Sequence, residues 1–177
     1  VNDTLVIFYC LGGTSREVAH ALADEQGWAL GQVVEAKPRG GWPGLLRCAL
    51  DTLRQRLPPV RYEGPEPAGF QRVVLVAPIW LGSVAAPMRS FAASAGRSWR
   101  QYAVVTTSAT GESSRAEAEL AAILGHEPIG CAAFHTRHVT DGSYAPVLQE
   151  FGGLLAGIGY PVARPQALGA IKPAPAG

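Results

Sequence analysis

Short continuous apolar runs alternate along the chain with longer stretches whose apolar residues recur every three or four positions. Leu5-Val6-Ile7-Phe8-Tyr9 is apolar on both faces, as a strand buried within a parallel sheet requires. Over residues 14–26 the period lengthens. There Val18, Ala19, Leu22 and Ala23 form a helical stripe, Thr14 or Ser15 is suited to cap the start, and Gly27 stops it. Residues 28–35 read as a second strand. A second helix is predicted over 43–57, with Leu45, Leu46, Ala49, Leu50, Leu53 and Leu57 on one face and Pro58-Pro59 ending it. Residues 61–69 read as loop. Val73-Val74-Leu75-Val76-Ala77 is the clearest central strand.

The alternation continues to the end of the chain. A helix is expected over 86–95, with Pro87 in its first turn, then a strand over 102–106 and a helix over 112–124 stopped by Gly125. Residues 129–139 read as a long final strand, and 145–158 as a final helix weakened by Gly152-Gly153. The Pro/Ala-rich tail, 172–177, is expected to be disordered. Five strand–helix alternations imply one α/β domain over residues 1–171, an open, parallel, doubly wound sheet with helices on both faces. Ligands of such sheets sit beyond the carboxyl ends of the strands. The loops to read are therefore 10–15, 78–83 and 107–112.

Composition narrows the chemistry. The 177 residues are 47% hydrophobic and only 16% charged, and Lys+Arg 15 against Asp+Glu 14 leaves a net charge of +1. That balance provides no electrostatic footprint for nucleic acid or an anionic membrane. No metal-ligand spacing surrounds His20, His126, His135 or His138, and His135-x-x-His138 reads as strand histidines rather than a ligand pair. Cys10, Cys48 and Cys131 are odd in number and scattered, so no disulfide framework is expected. The apolar run at 4–9 is too short for a secretory h-region, and none approaches the roughly 20 residues needed to span a bilayer. A soluble protein of a reducing compartment, the cytoplasm, is expected.

The first loop, Cys10-Leu11-Gly12-Gly13-Thr14-Ser15, opens a helix: glycines admit a ligand to the backbone, helix N–H groups favour an anion, and two hydroxyls add donors. It also reads as a tight turn with an ordinary cap. The second, Pro78-Ile79-Trp80-Leu81-Gly82-Ser83, sets a Trp at the end of the central strand, as a stacking platform or as a cover for the sheet end. The third, with Thr107, Ser108, Ala109 and Gly111, is rich in hydroxyls. Together the three make a neutral, donor-lined crevice.

Residues 6–16, Val-Ile-Phe-Tyr-Cys-Leu-Gly-Gly-Thr-Ser-Arg, resemble the opening strand and phosphate loop of the flavodoxin family. Residues 74–87, with Pro78-Ile79-Trp80 and the downstream Ala86-Pro87, resemble that family's loop along the flavin ring. The resemblance covers about residues 4–160. It implies a five-stranded sheet of order 2-1-3-4-5 and an FMN site at Cys10, Leu11, Gly12, Gly13, Thr14, Ser15, Pro78, Ile79, Trp80, Leu81, Gly82, Thr107, Ser108, Ala109 and Gly111. It implies electron or hydride transfer with a small-molecule or protein redox partner, without nucleic acid or membrane, and leaves a homodimer open. No protein acid or base is required, so no catalytic residue is assigned.

This chain departs from the family pattern in places. Cys10 stands where the family has Ser or Thr, Gly12 where it has Thr, and Thr14 where it has Asn. Each charge-assisted hydrogen bond missing from the phosphate costs about 1.5–3 kcal/mol. The third loop lacks the Tyr that stacks on the flavin in electron carriers, and the chain lacks their acidity; both point toward a flavin- or quinone-reductase-like role. Trp42 is a candidate cover for the flavin or a surface-loop anchor.

Two other readings stay open. Cys10 and Arg16 form Cys-x5-Arg, which resembles the phosphate loop of low-molecular-weight tyrosine phosphatases, with Asp141 as a loose match to their general acid. Glu17 in place of a hydroxyl residue, and Gly142 in place of Pro, depart from that pattern. The altered phosphate loop also suits a binding module that has lost its cofactor, for which Arg54, Arg56, Arg61, Arg89, Arg97 and Arg100 are either a docking surface or a solvated face.

Overall fold

The computed structural model describes residues 3–36, 57–157 and 172–173. The helix predicted over 43–57, with Trp42, Cys48, Arg54 and Arg56, lies outside them except for Leu57. Five parallel strands form the centre: β1 (Thr4–Phe8), β2 (Ala29–Glu35), β4 (Arg72–Trp80), β6 (Gln101–Ser108) and β7 (Gly130–His135). Their spatial order, β2-β1-β4-β6-β7, is the expected 2-1-3-4-5.

Three further strands enlarge the sheet to eight. β3 (Val60–Glu63) pairs antiparallel with β2, where a loop was expected over 61–69; of that stretch only Pro67–Gly69 forms a helical turn, a 3-10 one. β5 (Ser83–Val84) folds back antiparallel on β4. β8 (Lys172–Pro173), within the tail expected to be disordered, pairs antiparallel with β7.

The apolar strands alternate their side chains between two cores. Leu5, Ile7, Val73, Leu75 and Val104 face one side, covered by α2 (Ala86–Ala95) and α3 (Ser114–Leu124). Val6, Phe8, Val74, Val76 and Val105 face the other, covered by α1 (Thr14–Gln26) and α5 (Ala145–Gly157). Both faces are buried, which is why these strands carry continuous apolar runs. Gly27 and Gly125 end α1 and α3 in the left-handed conformation, at φ 65° and 83°. The long strand expected over 129–139 stops at His135, and Thr136–Thr140 forms a short helix, α4. The His135 ring caps it, Nδ1 accepting from the Arg137 backbone N–H at 3.1 Å.

Gly31 shows how the sheet edge is closed. The Tyr62 ring of β3 occupies the space beside it, so an added Cβ would stand 2.2 Å from the phenol oxygen. That ring stacks on Phe91 with centroids 5.0 Å apart, and burial with nearby Glu66 pushes its ionisation up to about 12. Gly31→Ala is expected to expel the ring, at an overpacking cost of about 1–3 kcal/mol. A lower Tm, together with a phenol titration returned toward its ordinary value near 10, checks it.

Candidate functional site

The carboxyl ends of β1, β4 and β6 converge on one crevice of 460 Å³, within the size range of small-molecule sites. Its wall is Cys10, Leu11, Gly12, Thr14 and Ser15 from the first loop, Pro78, Ile79 and Trp80 from the second, Thr107, Ser108 and Ala109 from the third, and Thr136. None of these side chains is charged, so donors and acceptors there come from hydroxyls, the thiol and the backbone.

The first loop turns at Gly13, whose φ of +103° L side chains rarely adopt. Gly13 rather than Thr14 or Ser15 is the N-cap of α1, and no side chain among the described residues caps the helix. The first turn of α1 thus gives Thr14 and Ser15 to the crevice wall, and its N–H groups have no side-chain acceptor among the described residues. Within the loop, the Gly13 N–H donates to Cys10 Sγ at 2.9 Å. Ser15 is buried, and its Oγ shares a 2.7 Å hydrogen bond with Thr107 Oγ1, tying the first loop to the third.

The second loop is shorter than expected. Pro78, Ile79 and Trp80 are the last residues of β4, and only Leu81-Gly82 turns the chain into β5. Both turn residues have positive φ, 51° and 79°, as a tight hairpin turn of this hand demands. Leu81 is the one non-glycine residue with positive φ among those described, and its side chain is 65% exposed. Trp80 is half-buried: it packs against the core and meets the Tyr9 ring edge-on at 6.2 Å. Tyr9 in turn donates to Glu35 Oε1 at 2.6 Å. From behind, Glu119 holds the hairpin, with Oε2 accepting from the Val84 N–H at 3.0 Å and Oε1 from the buried Arg89 at 2.8 Å.

In the third loop, Ser108 Oγ accepts from the Gly111 N–H at 2.8 Å, and Thr136 Oγ1 donates to the Ser108 carbonyl at 3.1 Å. Four predicted residues, Gly13, Leu81, Gly82 and Gly111, are absent from the crevice wall. All four instead supply positive-φ turns that shape the loops. Thr136 was missed because 129–139 reads as unbroken strand; its one signal is the polar cluster His135-Thr136-Arg137-His138 inside an apolar run. Arg16 and Glu17 are exposed and off the wall.

No protein-family model matches the sequence, and no curated protein matches it either. Solved structures do. A flavoprotein from Lactobacillus acidophilus NCFM in complex with FMN superposes with a TM-score of 0.65 at 18% identity, over 80% of this chain and 98% of that one. The fold is flavodoxin-like. The apo form of the same flavoprotein matches with a TM-score of 0.57 at 19% identity, over 74% of this chain and 91% of that one. An NAD(P)H:quinone oxidoreductase from Methanothermobacter marburgensis matches at 0.53 with 10% identity, over 88% and 98%.

In a flavodoxin-like sheet the switch point lies where successive crossovers leave in opposite directions, here between β1 and β4. The crevice sits there, between the first and second loops. The Ser15–Thr107 bond is a joint on which its shape depends. Ser15→Ala is expected to cost about 1–3 kcal/mol, because it leaves a buried hydroxyl without that partner. Denaturant unfolding checks the loss.

Proposed function

We propose that the chain is an FMN-binding flavodoxin-like protein acting in electron or hydride transfer. The observation that carries this reading is the uncharged crevice at the β1/β4 switch point, with an uncapped helix N-terminus on one wall and Trp80 on another. The residues fit the group: N–H donors of the first turn of α1 and the Thr14 hydroxyl suit a phosphate, and Trp80, Pro78 and Ile79 suit a flat ring. Gly12, Ala109 and Thr136 complete the wall, and Gly13, Leu81, Gly82 and Gly111 shape the turns that carry it. When bound, FMN supplies the redox chemistry. The protein binds it, orients it through Trp80 and the tied loops, and excludes water from the Trp80 side.

The uncharged wall and the absence of a third-loop Tyr favour a reductase-like role with a small-molecule or protein redox partner. Neither Cys10 nor Cys131 is in a disulfide, which fits a cytoplasmic setting. No helix among the described residues is long and apolar enough to cross a membrane. The phosphatase reading lacks its clamp, since Arg16 is exposed and off the crevice wall. Calorimetric titration of the full chain with FMN tests the proposal: saturable binding with one site per chain is expected, and no heat of binding overturns it.

A further inference from the structure

A second cavity, of 240 Å³, lies on the other side of the two segments that frame the crevice. Thr136 faces the crevice while its neighbours His135 and Arg137 line this cavity, and the third loop likewise passes from Ala109 on the crevice to Thr110 on the cavity. The function proposed above makes no use of it.

Its lining brings together Arg137, two imidazoles and the hydroxyl residues Thr110, Ser143 and Tyr144, with no carboxylate among them. His135 Nδ1 accepts from the Arg137 backbone N–H at 3.1 Å, and His138 Nε2 accepts from Arg137 Nε at 3.2 Å. With those nitrogens accepting, the other ring nitrogen of each imidazole is left to donate. The ring centroids are 5.6 Å apart. Arg137 has further guanidinium N–H donors beyond Nε. Thr110 adds a hydroxyl, and Phe134 forms an apolar floor.

Two acidic groups lie nearby, and Asp141 is within electrostatic reach of His138 and Arg137. Asp141 Oδ1 accepts from the Ser143 N–H at 2.9 Å, and Glu17 accepts from Tyr144 at 3.4 Å. Neither carboxylate lines the cavity.

We propose that this cavity is a binding site for a small oxyanion, carboxylate or phosphate, held by Arg137 and the His135–His138 pair. A recess that gathers a guanidinium and two imidazoles with no carboxylate in its wall suits an oxyanion, which supplies several acceptors at once. The fork of Arg137 is the strongest of the donors. The site is independent of FMN, so the test is made on the full chain without flavin.

Inorganic phosphate and benzoate are titrated separately while the imidazole nitrogens of His135 and His138 are followed by NMR. Saturable shifts of both rings are expected with at least one of the two anions. In Arg137→Gln the affinity is expected to fall about tenfold or more, the loss of one charge-assisted contact. Arg137 is exposed, so this variant keeps the fold. Tighter binding of benzoate identifies an organic acid that uses the Phe134 floor; response to phosphate alone identifies a free inorganic anion. Both support the site. No shift with either anion, or shifts undiminished in Arg137→Gln, overturns it.

Discussion

Glu119→Ala is expected to destabilise the protein by about 3–5 kcal/mol, the cost of breaking a buried ion pair by removing one partner. Arg89 is 2% exposed, and the Glu119 carboxylate is held 2.8 Å from it. The same carboxylate accepts the Val84 N–H, so its loss also releases the β4–β5 hairpin on which Trp80 is carried. Two readouts are therefore expected to move together: the denaturation midpoint drops, and whatever FMN remains bound is held more weakly. Glu119→Gln keeps an accepting oxygen for one of the two contacts, turns an amide NH2 toward the other donor and removes the charge, so it is expected to lie between the wild type and the alanine variant. A neutral result for Glu119→Ala contradicts the role given to this pair.

Trp80→Ala has the opposite profile, a large loss of FMN affinity with little loss of stability. Trp80 is the largest apolar group on the crevice wall and is half-buried, so the fold does not depend on it as it does on the central strands. Stacking of a heteroaromatic ring on an aromatic side chain is worth about 1–3 kcal/mol, which corresponds to a roughly 5- to 150-fold weaker Kd. Trp80→Phe keeps a π face and is expected to recover much of that loss. Fluorescence titration of flavin against each variant checks the order wild type, Phe, Ala.

The parts of the fold legible in the sequence were those whose causes are local. Val73–Ala77 is apolar at every position because both faces of β4 are covered, and that shows as an uninterrupted run. Gly27 and Gly125 mark helix ends because the left-handed conformation at each favours glycine. β3 was not legible: Val60-Arg61-Tyr62-Glu63 is a short edge strand with alternating exposed charges, and its pairing with β2 is fixed by the Tyr62 ring over Gly31. The break at His135 was equally hidden, since it depends on a ring nitrogen capping a helix of β-branched and polar residues.

The site divides along the same line. The three loops were legible because Gly-Gly before a hydroxyl pair, and Pro-Ile-Trp after an apolar run, are contiguous patterns. The joints that hold those loops together were not. Ser15 and Thr107 are 92 residues apart in sequence, and Val84 and Glu119 are 35 apart. Neither residue of either pair carries a local mark of its partner.

The most direct test is the absorbance spectrum of the purified full chain after incubation with FMN and desalting. A flavin band retained at about one FMN per chain and lost in Trp80→Ala is expected. A protein that emerges colourless, and that instead hydrolyses p-nitrophenyl phosphate in a manner abolished by Cys10→Ser, contradicts the FMN proposal in favour of the phosphatase. A colourless protein with neither activity contradicts it in favour of a binding module built on the same fold.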